Sequence, residues 1–232
     1  MGRHSERRRR APAVVRSGAA HGLAAVVDVH EVSVTYGDVA ALRGVSFSAR
    51  PGDFVAVTGH SGAGKTTLIN AIAGLVVLEW GGIDLGAGRG SERDPGAVAI
   101  IPQGNGLASV LTAYENVLAP LRARGYAPAE ASERATAALA SVGLGESGTH
   151  LVEELSGGQQ QRAAVARGLA IEAGVLLADE PTSELDHDNR ERILDLLRAR
   201  ADAGGIVVMT THDPEAAARA DRVIVLDDGL VV

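Results

Sequence analysis

Gly59-His60-Ser61-Gly62-Ala63-Gly64-Lys65-Thr66 follows directly on the apolar run Phe54-Val55-Ala56-Val57-Thr58, and this junction decides the fold. The pattern G-x-x-x-x-G-K-[ST] between a strand and a helix is a phosphate cradle. Its glycines let successive backbone N–H groups turn inward, and the N-terminus of the helix behind them adds positive potential. On that reading Gly59, Ser61, Gly62 and Gly64 shape the loop. Lys65 reaches the β- and γ-phosphates, Thr66 ligates Mg²⁺, and Thr67 meets the α-phosphate. A chance glycine turn is the plainer alternative in a chain with 29 Gly. It would need neither the strand before the motif nor the helix from about Lys65 to Ala73 after it.

Composition singles out the same position. Lys and Arg together number 22, yet Lys65 is the only lysine. A bias toward Arg explains the other cations and leaves this exception, where a compact ammonium is needed and a planar guanidinium does not fit. The 232 residues suit one α/β domain with a small helical insert. With 46% hydrophobic and 22% charged residues the chain reads as an ordinary globular protein. It has no cysteine, which excludes a disulfide framework and a thiolate metal site and fits a reducing compartment. Net charge is −7, divided into +5 for residues 1–26 and −12 for the rest. So acidic a body argues against a nucleic-acid partner. No apolar run approaches the roughly 20 residues of a spanning helix, so any membrane part belongs to another chain.

Outward from the cradle, residues 1–26 form an Arg-rich arm expected to be mostly disordered, a solvated tail with a lipid-surface or nucleic-acid arm as the sharper alternative. The folded region is expected over 27–232. Val27, Val29, Val32 and Val34 open an extended stretch ending at Tyr36. VSFSA (45–49) and FVAVT (54–58) follow, separated by the Pro51-Gly52 turn. Residues 74–96 read as irregular, and AVAII (97–101) as a short buried strand. Helical spacing marks 113–154, with Pro128 at a helix start, and Gly157-Gly158 opens another helix to about Ala170. Then VLLAD (175–179), a helix at 187–203, GIVVMT (205–210), a helix at 214–220 and RVIVL (222–226) alternate. Continuous apolar strands alternating with helices mean a parallel sheet covered on both faces.

Val175 to Asp179 ends an apolar strand in acid, the placement that holds Mg²⁺ beside a phosphate cradle. Glu180 comes next, where a carboxylate can take a proton from an attacking water. An Asp-Glu pair alone is more often a helix cap; after VLLA and before Pro181-Thr182 the catalytic reading prevails.

Leu155-Ser156-Gly157-Gly158-Gln159 then names a family. It resembles the signature sequence of ATP-binding cassette (ABC) transporter ATPases, and runs on as LSGGQQQR to Arg162. The resemblance spans residues 27–232. It implies a P-loop NTPase core with a parallel sheet, an N-terminal antiparallel β-subdomain and an inserted helical subdomain at about 104–160. Tyr36 resembles the aromatic that stacks on adenine. Gln103 resembles the glutamine that touches Mg²⁺ and the attacking water. Ser183-Glu184-Leu185-Asp186 resembles the loop that crosses the dimer interface, and His212 in TTHD the switch histidine at the γ-phosphate. Alone, each would more often be a packed, capping or surface residue; their order turns the odds.

Ser156, Gly157, Gly158 and Gln159 are implied to face the ATP of a partner, so that two chains head to tail sandwich two ATP. The implied partners are a second cassette, identical or different, and an integral-membrane permease, at the cytoplasmic face of the membrane. Leu111 to Leu121 (LTAYENVLAPL) looks like the LT-x-x-ENV-x-x-PL stretch of bacterial lipoprotein-release, macrolide-efflux and cell-division cassettes; importers of amino acids or ions remain an alternative. So do cassettes outside transport, at division sites or in iron–sulfur assembly. A P-loop kinase or GTPase is opposed by LSGGQ and by the lack of N-K-x-D. Three departures from the family pattern stand out. The stretch between Gly74 and Gln103 is short, with Arg93 lacking an adjacent arginine. Glu184 replaces a small residue. The chain stops at Val232 without the C-terminal regulatory domain of some importers.

Overall fold

The computed structural model describes residues 14–16, 26–86 and 98–232. Two sheets make its frame. The first is four-stranded, in the order β1 (Val14–Arg16), β5 (Trp80–Asp84), β2 (Val27–Tyr36), β3 (Val39–Ala49). β2 pairs antiparallel with both β3 and β5, whereas β1 runs parallel to β5. The second is six-stranded: β10 (Leu230–Val231), β9 (Arg222–Asp227), β4 (Phe54–Thr58), β8 (Ile206–Thr210), β7 (Val175–Asp179), β6 (Val98–Ile101). From β9 to β6 all pairings are parallel, and β10 turns back antiparallel on β9. This is the parallel core and antiparallel β-subdomain that the sequence implies.

Alternation along the central strands explains why both faces are covered. Val55, Val57, Val175, Leu177, Ile206 and Val208 pack with α1 (Lys65–Ile72) and the antiparallel sheet. Phe54, Ala56, Leu176, Ala178, Val207 and Met209 face the other way. They pack with α2 (Ala113–Ala123), α3 (Pro128–Ser141), α4 (Gly157–Ala170) and α5 (His187–Asp202). Strands buried on both faces carry no polar side chain until their ends, which is why VLLAD and IVVMT read as unbroken apolar runs.

The structure corrects three expectations. The stretch 74–96, read as irregular, contains β5. Its sequence WGGID lacks alternation, and pairing with β2 makes it a strand. Gly81 permits that pairing, because a Cβ there would lie 2.3 Å from the carbonyl oxygen of Glu31, at the bulge of β2. Within the arm, Val14–Arg16 form an edge strand beside β5. Arg93, where the family pattern is departed from, lies outside the described residues. The helical stretch 113–154 resolves into α2, α3 and a 3₁₀ turn at Val152–Glu154, and the last helix, α6 (Pro214–Ala217), ends three residues before the expected 220.

Side-chain hydrogen bonds fix the insert and the sheet edges. Thr112 caps α2, accepting from the Glu115 N–H at 3.1 Å, and the Glu115 carboxylate accepts from the Thr112 N–H at 2.8 Å. Buried Asn116 holds the preceding loop. It accepts from the Ala108 N–H at 2.8 Å and donates to the carbonyls of Ala108 at 3.1 Å and Thr112 at 2.9 Å. At the start of β4, Asp221 accepts from the Phe54 N–H at 2.8 Å and from Arg198 at 2.8 Å. The Arg198 guanidinium, then that backbone N–H, hold the Asp221 carboxyl below its ordinary range. Among the described residues no helix is long and apolar enough to cross a membrane.

Candidate nucleotide-binding and catalytic site

At the C-terminal ends of β4, β7 and β8 opens a cleft of about 590 Å³. It collects Gly59, Ser61, Gly62, Gly64, Lys65, Thr66, Thr67, Gln103, Asp179, Glu180 and His212, eleven of the nucleotide, metal and catalytic residues expected from the sequence, together with Ala41, His60 and Ser183 of the crossing loop. This is the crevice where open α/β sheets place ligands. The cradle wraps the N-terminus of α1, whose orphan N–H groups face in. Gly64 is needed there. Its φ is +103°, and a Cβ would lie 2.5 Å from the carbonyl oxygen of Ala41 in β3. The turn between β9 and β10 closes the loop from the other side. Gly229 donates its N–H to the Ala63 carbonyl at 3.0 Å and accepts from the Arg43 N–H at 2.8 Å.

Lys65 points back into the loop. Its Nζ donates to the carbonyls of Gly59 at 2.8 Å and His60 at 3.0 Å. These bonds set the ammonium among the inward N–H groups, where phosphate oxygens would complete its coordination. His60 is the unforeseen member of the loop. Its Nδ1 donates to the Ser61 carbonyl at 2.7 Å, and its Nε2 lies 3.2 Å from Asp227 and 3.5 Å from Asp228. The bond to the Ser61 carbonyl, opposed by desolvation and aided by the two carboxylates, raises the His60 pKa above its ordinary value.

Across the cleft stand the acids. Asp179 is buried and accepts a 2.5 Å hydrogen bond from the Thr210 hydroxyl. Glu180, also buried, meets His212 Nδ1 through its Oε2 at 3.0 Å. Its backbone takes a φ of +51°, uncommon for a side-chain-bearing residue and typical of functional sites. Thr210 secures it, accepting from the Glu180 N–H through Oγ1 at 3.0 Å and through its carbonyl at 3.2 Å. The Thr66 hydroxyl lies 3.5 Å from Gln103 Oε1. Thr66, Gln103 and Asp179 thus offer a hydroxyl, an amide oxygen and a carboxylate at one end of the cleft. A hard, all-oxygen set suits Mg²⁺ with retained water and suits softer ions poorly.

Two groups from the sequence reading stand outside this cleft. Tyr36, at the end of β2, is half exposed and free to act as a platform. Ser156, Gly157, Gly158 and Gln159 begin α4 and do not line the cleft. There Ser156 Oγ accepts from the Gln159 N–H at 3.3 Å, and Gln159 Oε1 accepts from the Ser156 N–H at 2.8 Å. Ser156 and Gln159 thus form a reciprocal cap on this helix start. Sequence reasoning missed Thr210 and Gln161. A threonine ending an apolar strand and a glutamine inside the run Gln161-Arg162-Ala163-Ala164-Val165 were the available signals.

A family model described as ABC transporter matches residues 42–183. The chain is 41% identical over 220 residues to the macrolide export ATP-binding/permease protein MacB of Hyphomonas neptunium, which covers 89% of this chain and 34% of that protein. It is 38% identical over 217 residues to the methionine import ATP-binding protein MetN of Brucella abortus, covering 90% of this chain and 59% of the relative. The chain therefore spans about a third and about three fifths of these curated relatives. Its fold is similar to the dimeric bacterial ABC transporter cassette MJ0796. The TM-score is 0.80 and the identity 33%, with 88% of this chain and 96% of that one covered. A post-hydrolysis dimer of that cassette, bound to ADP and Pi, aligns with a TM-score of 0.79 and 32% identity, over 88% of this chain and 96% of that one.

Proposed function

This chain belongs to the ATP-binding cassette family, and from that premise we propose that it is the ATP-hydrolysing subunit of a transporter whose permease is a separate membrane chain. The observation that carries the reading is the cleft itself. The phosphate cradle with its single lysine faces a buried carboxylate, Glu180, bonded to His212.

The triphosphate lies along residues 59–67, its charge met by inward N–H groups, the α1 N-terminus and Lys65. Tyr36 stacks on adenine. Thr66, Gln103 and Asp179 would hold Mg²⁺, which supplies neutralisation of the β- and γ-phosphate oxygens. Glu180 orients a water in line with the γ-phosphorus and takes its proton as the new O–P bond forms and the bond to the β-phosphate oxygen breaks. His212 fixes the Glu180 carboxylate and contacts the γ-phosphate. Ser156 and the N–H groups of Gly157 and Gly158 close on the nucleotide of a second cassette, head to tail. Val110, exposed beside α2, belongs to the surface offered to the permease at the cytoplasmic membrane face. The Leu111 to Leu121 stretch supports the lipoprotein-release, macrolide-efflux and cell-division group, and the relatives include both an export and an import protein.

Mixing two inactive variants tests this arrangement. Lys65→Ala cannot hold phosphate; Ser156→Arg keeps its own cradle and blocks its partner's nucleotide. A mixed dimer has one site with both lesions and one with neither. The mixture gains ATPase activity that neither variant has alone, peaking near equal proportions. Full hydrolysis by Ser156→Arg alone, at dilutions where it is monomeric, removes the signature from the catalytic site and with it the head-to-tail model.

A further inference from the structure

Gln161 is a polar residue in the middle of α4, 5% exposed, and it spends its amide entirely on one loop of the opposite wall. Its Nε2 donates to the Glu180 carbonyl at 2.9 Å and to Ser183 Oγ at 3.1 Å, and its Oε1 accepts from the Glu184 N–H at 2.8 Å. The backbone donor at Glu184 fixes which end of the amide is oxygen. The bonded loop runs from the proposed base to the segment placed at the dimer interface. Glu180 itself sits in the left-handed region at φ +51°, a conformation that persists only where surroundings over-determine it. Thr210 holds it from the amide side and Gln161 from the carbonyl side. Ser156, meanwhile, is at the N-terminus of the same helix, under two turns away.

We infer that Gln161 is a positioning residue for Glu180: it sets the base through the carbonyl of residue 180 and joins it to the helix whose other end reads the partner's nucleotide. The inference rests on the proposed function. Its consequence is that arrival of a partner's phosphate at Ser156 shifts α4 and adjusts the base of the chain's own site, so the two sandwiched sites communicate through a helix as well as through the crossing loop. A misplacement of a catalytic group by about 1 Å is enough to cost about 100-fold in rate.

The test compares the full chain with Gln161→Met, of similar length and without hydrogen bonds, and Gln161→Glu, which keeps the bond from Glu184 and turns the two donors into acceptors. Turnover and MgATP affinity are measured for each, the latter with a fluorescent ATP analogue. The expected result is a fall in kcat of about 10- to 100-fold with Kd within about twofold, since the cradle is untouched. Mixtures then read which site Gln161 serves. Gln161→Met with Ser156→Arg regains activity, because the intact site draws its base from the Ser156→Arg chain. Gln161→Met with Lys65→Ala stays inactive, because the only whole cradle carries the displaced base. The reverse pattern, rescue by Lys65→Ala, assigns Gln161 to the signature and overturns the inference. So does a kcat within about twofold of the unaltered chain for a folded variant. Where neither mixture gains activity, the split between kcat and Kd decides. If Gln161→Met does not fold, Gln161→Glu carries the same measurements. Absence of ATP hydrolysis by the unaltered chain overturns the proposed function and this inference with it; hydrolysis there and unchanged kcat in the variants overturns this inference alone.

Discussion

Replacing Glu180 by Gln separates binding from chemistry, and the structure sets how large each effect is. The substitution keeps the side chain's length and removes its charge and basicity. Little stability is at stake. The altered contact runs to His212, whose side chain is 70% exposed, so it is worth about 0–1 kcal/mol. The strained backbone at residue 180 is held by its own N–H and carbonyl, on Thr210 and Gln161, and these bonds do not depend on the side chain. Tm should therefore move by no more than about 4 °C. The rate is another matter. A positioned general base contributes about 10²–10⁴-fold, or about 3–5 kcal/mol of the barrier. Phosphate release in a single turnover should fall by that factor while MgATP binding is retained. The uncleaved nucleotide should then accumulate a dimer, visible by size-exclusion chromatography with light scattering and absent without ATP. Turnover within tenfold of the unaltered chain would refute the base assignment. Lost turnover with a monomer at saturating MgATP would keep that assignment and refute dimerisation by ATP alone.

Lys65→Arg should lose most ATPase activity, at several kcal/mol of transition-state stabilisation, because a guanidinium does not fit within the bonds that Nζ makes to Gly59 and His60; near-normal turnover in a steady-state assay refutes this. Asn116→Ala leaves the N–H and carbonyl of Ala108 without their partner under the insert, so about 2–4 kcal/mol should be lost, a fall in Tm of about 4–16 °C by calorimetry, with nucleotide affinity unchanged. Asp221 has a depressed pKa in the folded state, so its stabilising contribution is present above the unfolded value near 4 and disappears as pH falls through the folded one. The group is more than half exposed, which limits that contribution to about 1 kcal/mol. Asp221→Asn should accordingly lower Tm at pH 7 and shallow its decline below about pH 4, and an acid limb unchanged by the substitution would count against the assignment.

The strands of the parallel sheet were readable because burial on both faces leaves one kind of residue from end to end, as in Val175 to Ala178. β5 was not, since Trp80-Gly81-Gly82 has no period of its own and takes strand form from the bulge at Glu31 that it covers. The cradle, Asp179 and Glu180 were readable for a different reason: their chemistry depends on local order, a loop between a strand and a helix or an acid at a strand's end. Thr210 and Gln161 depend on distance across the fold. Nothing near residue 161 announces that its amide will reach residue 180, and only the packing of α4 against the end of β7 makes them neighbours.

The phosphate loop is completed by segments made long after it. β4, which leads into the loop, finds both its neighbours at β8 and β9, and the loop's Ala63 carbonyl is bonded from Gly229. A ribosome that has translated the single lysine must add more than 160 residues before that last bond can form. Until then the Ala63 carbonyl lacks that partner, and β4 lacks both sheet neighbours until β8 and β9 follow it. Non-local closure of this kind slows folding, and here it ties completion of the phosphate loop to a turn more than 160 residues downstream of the lysine.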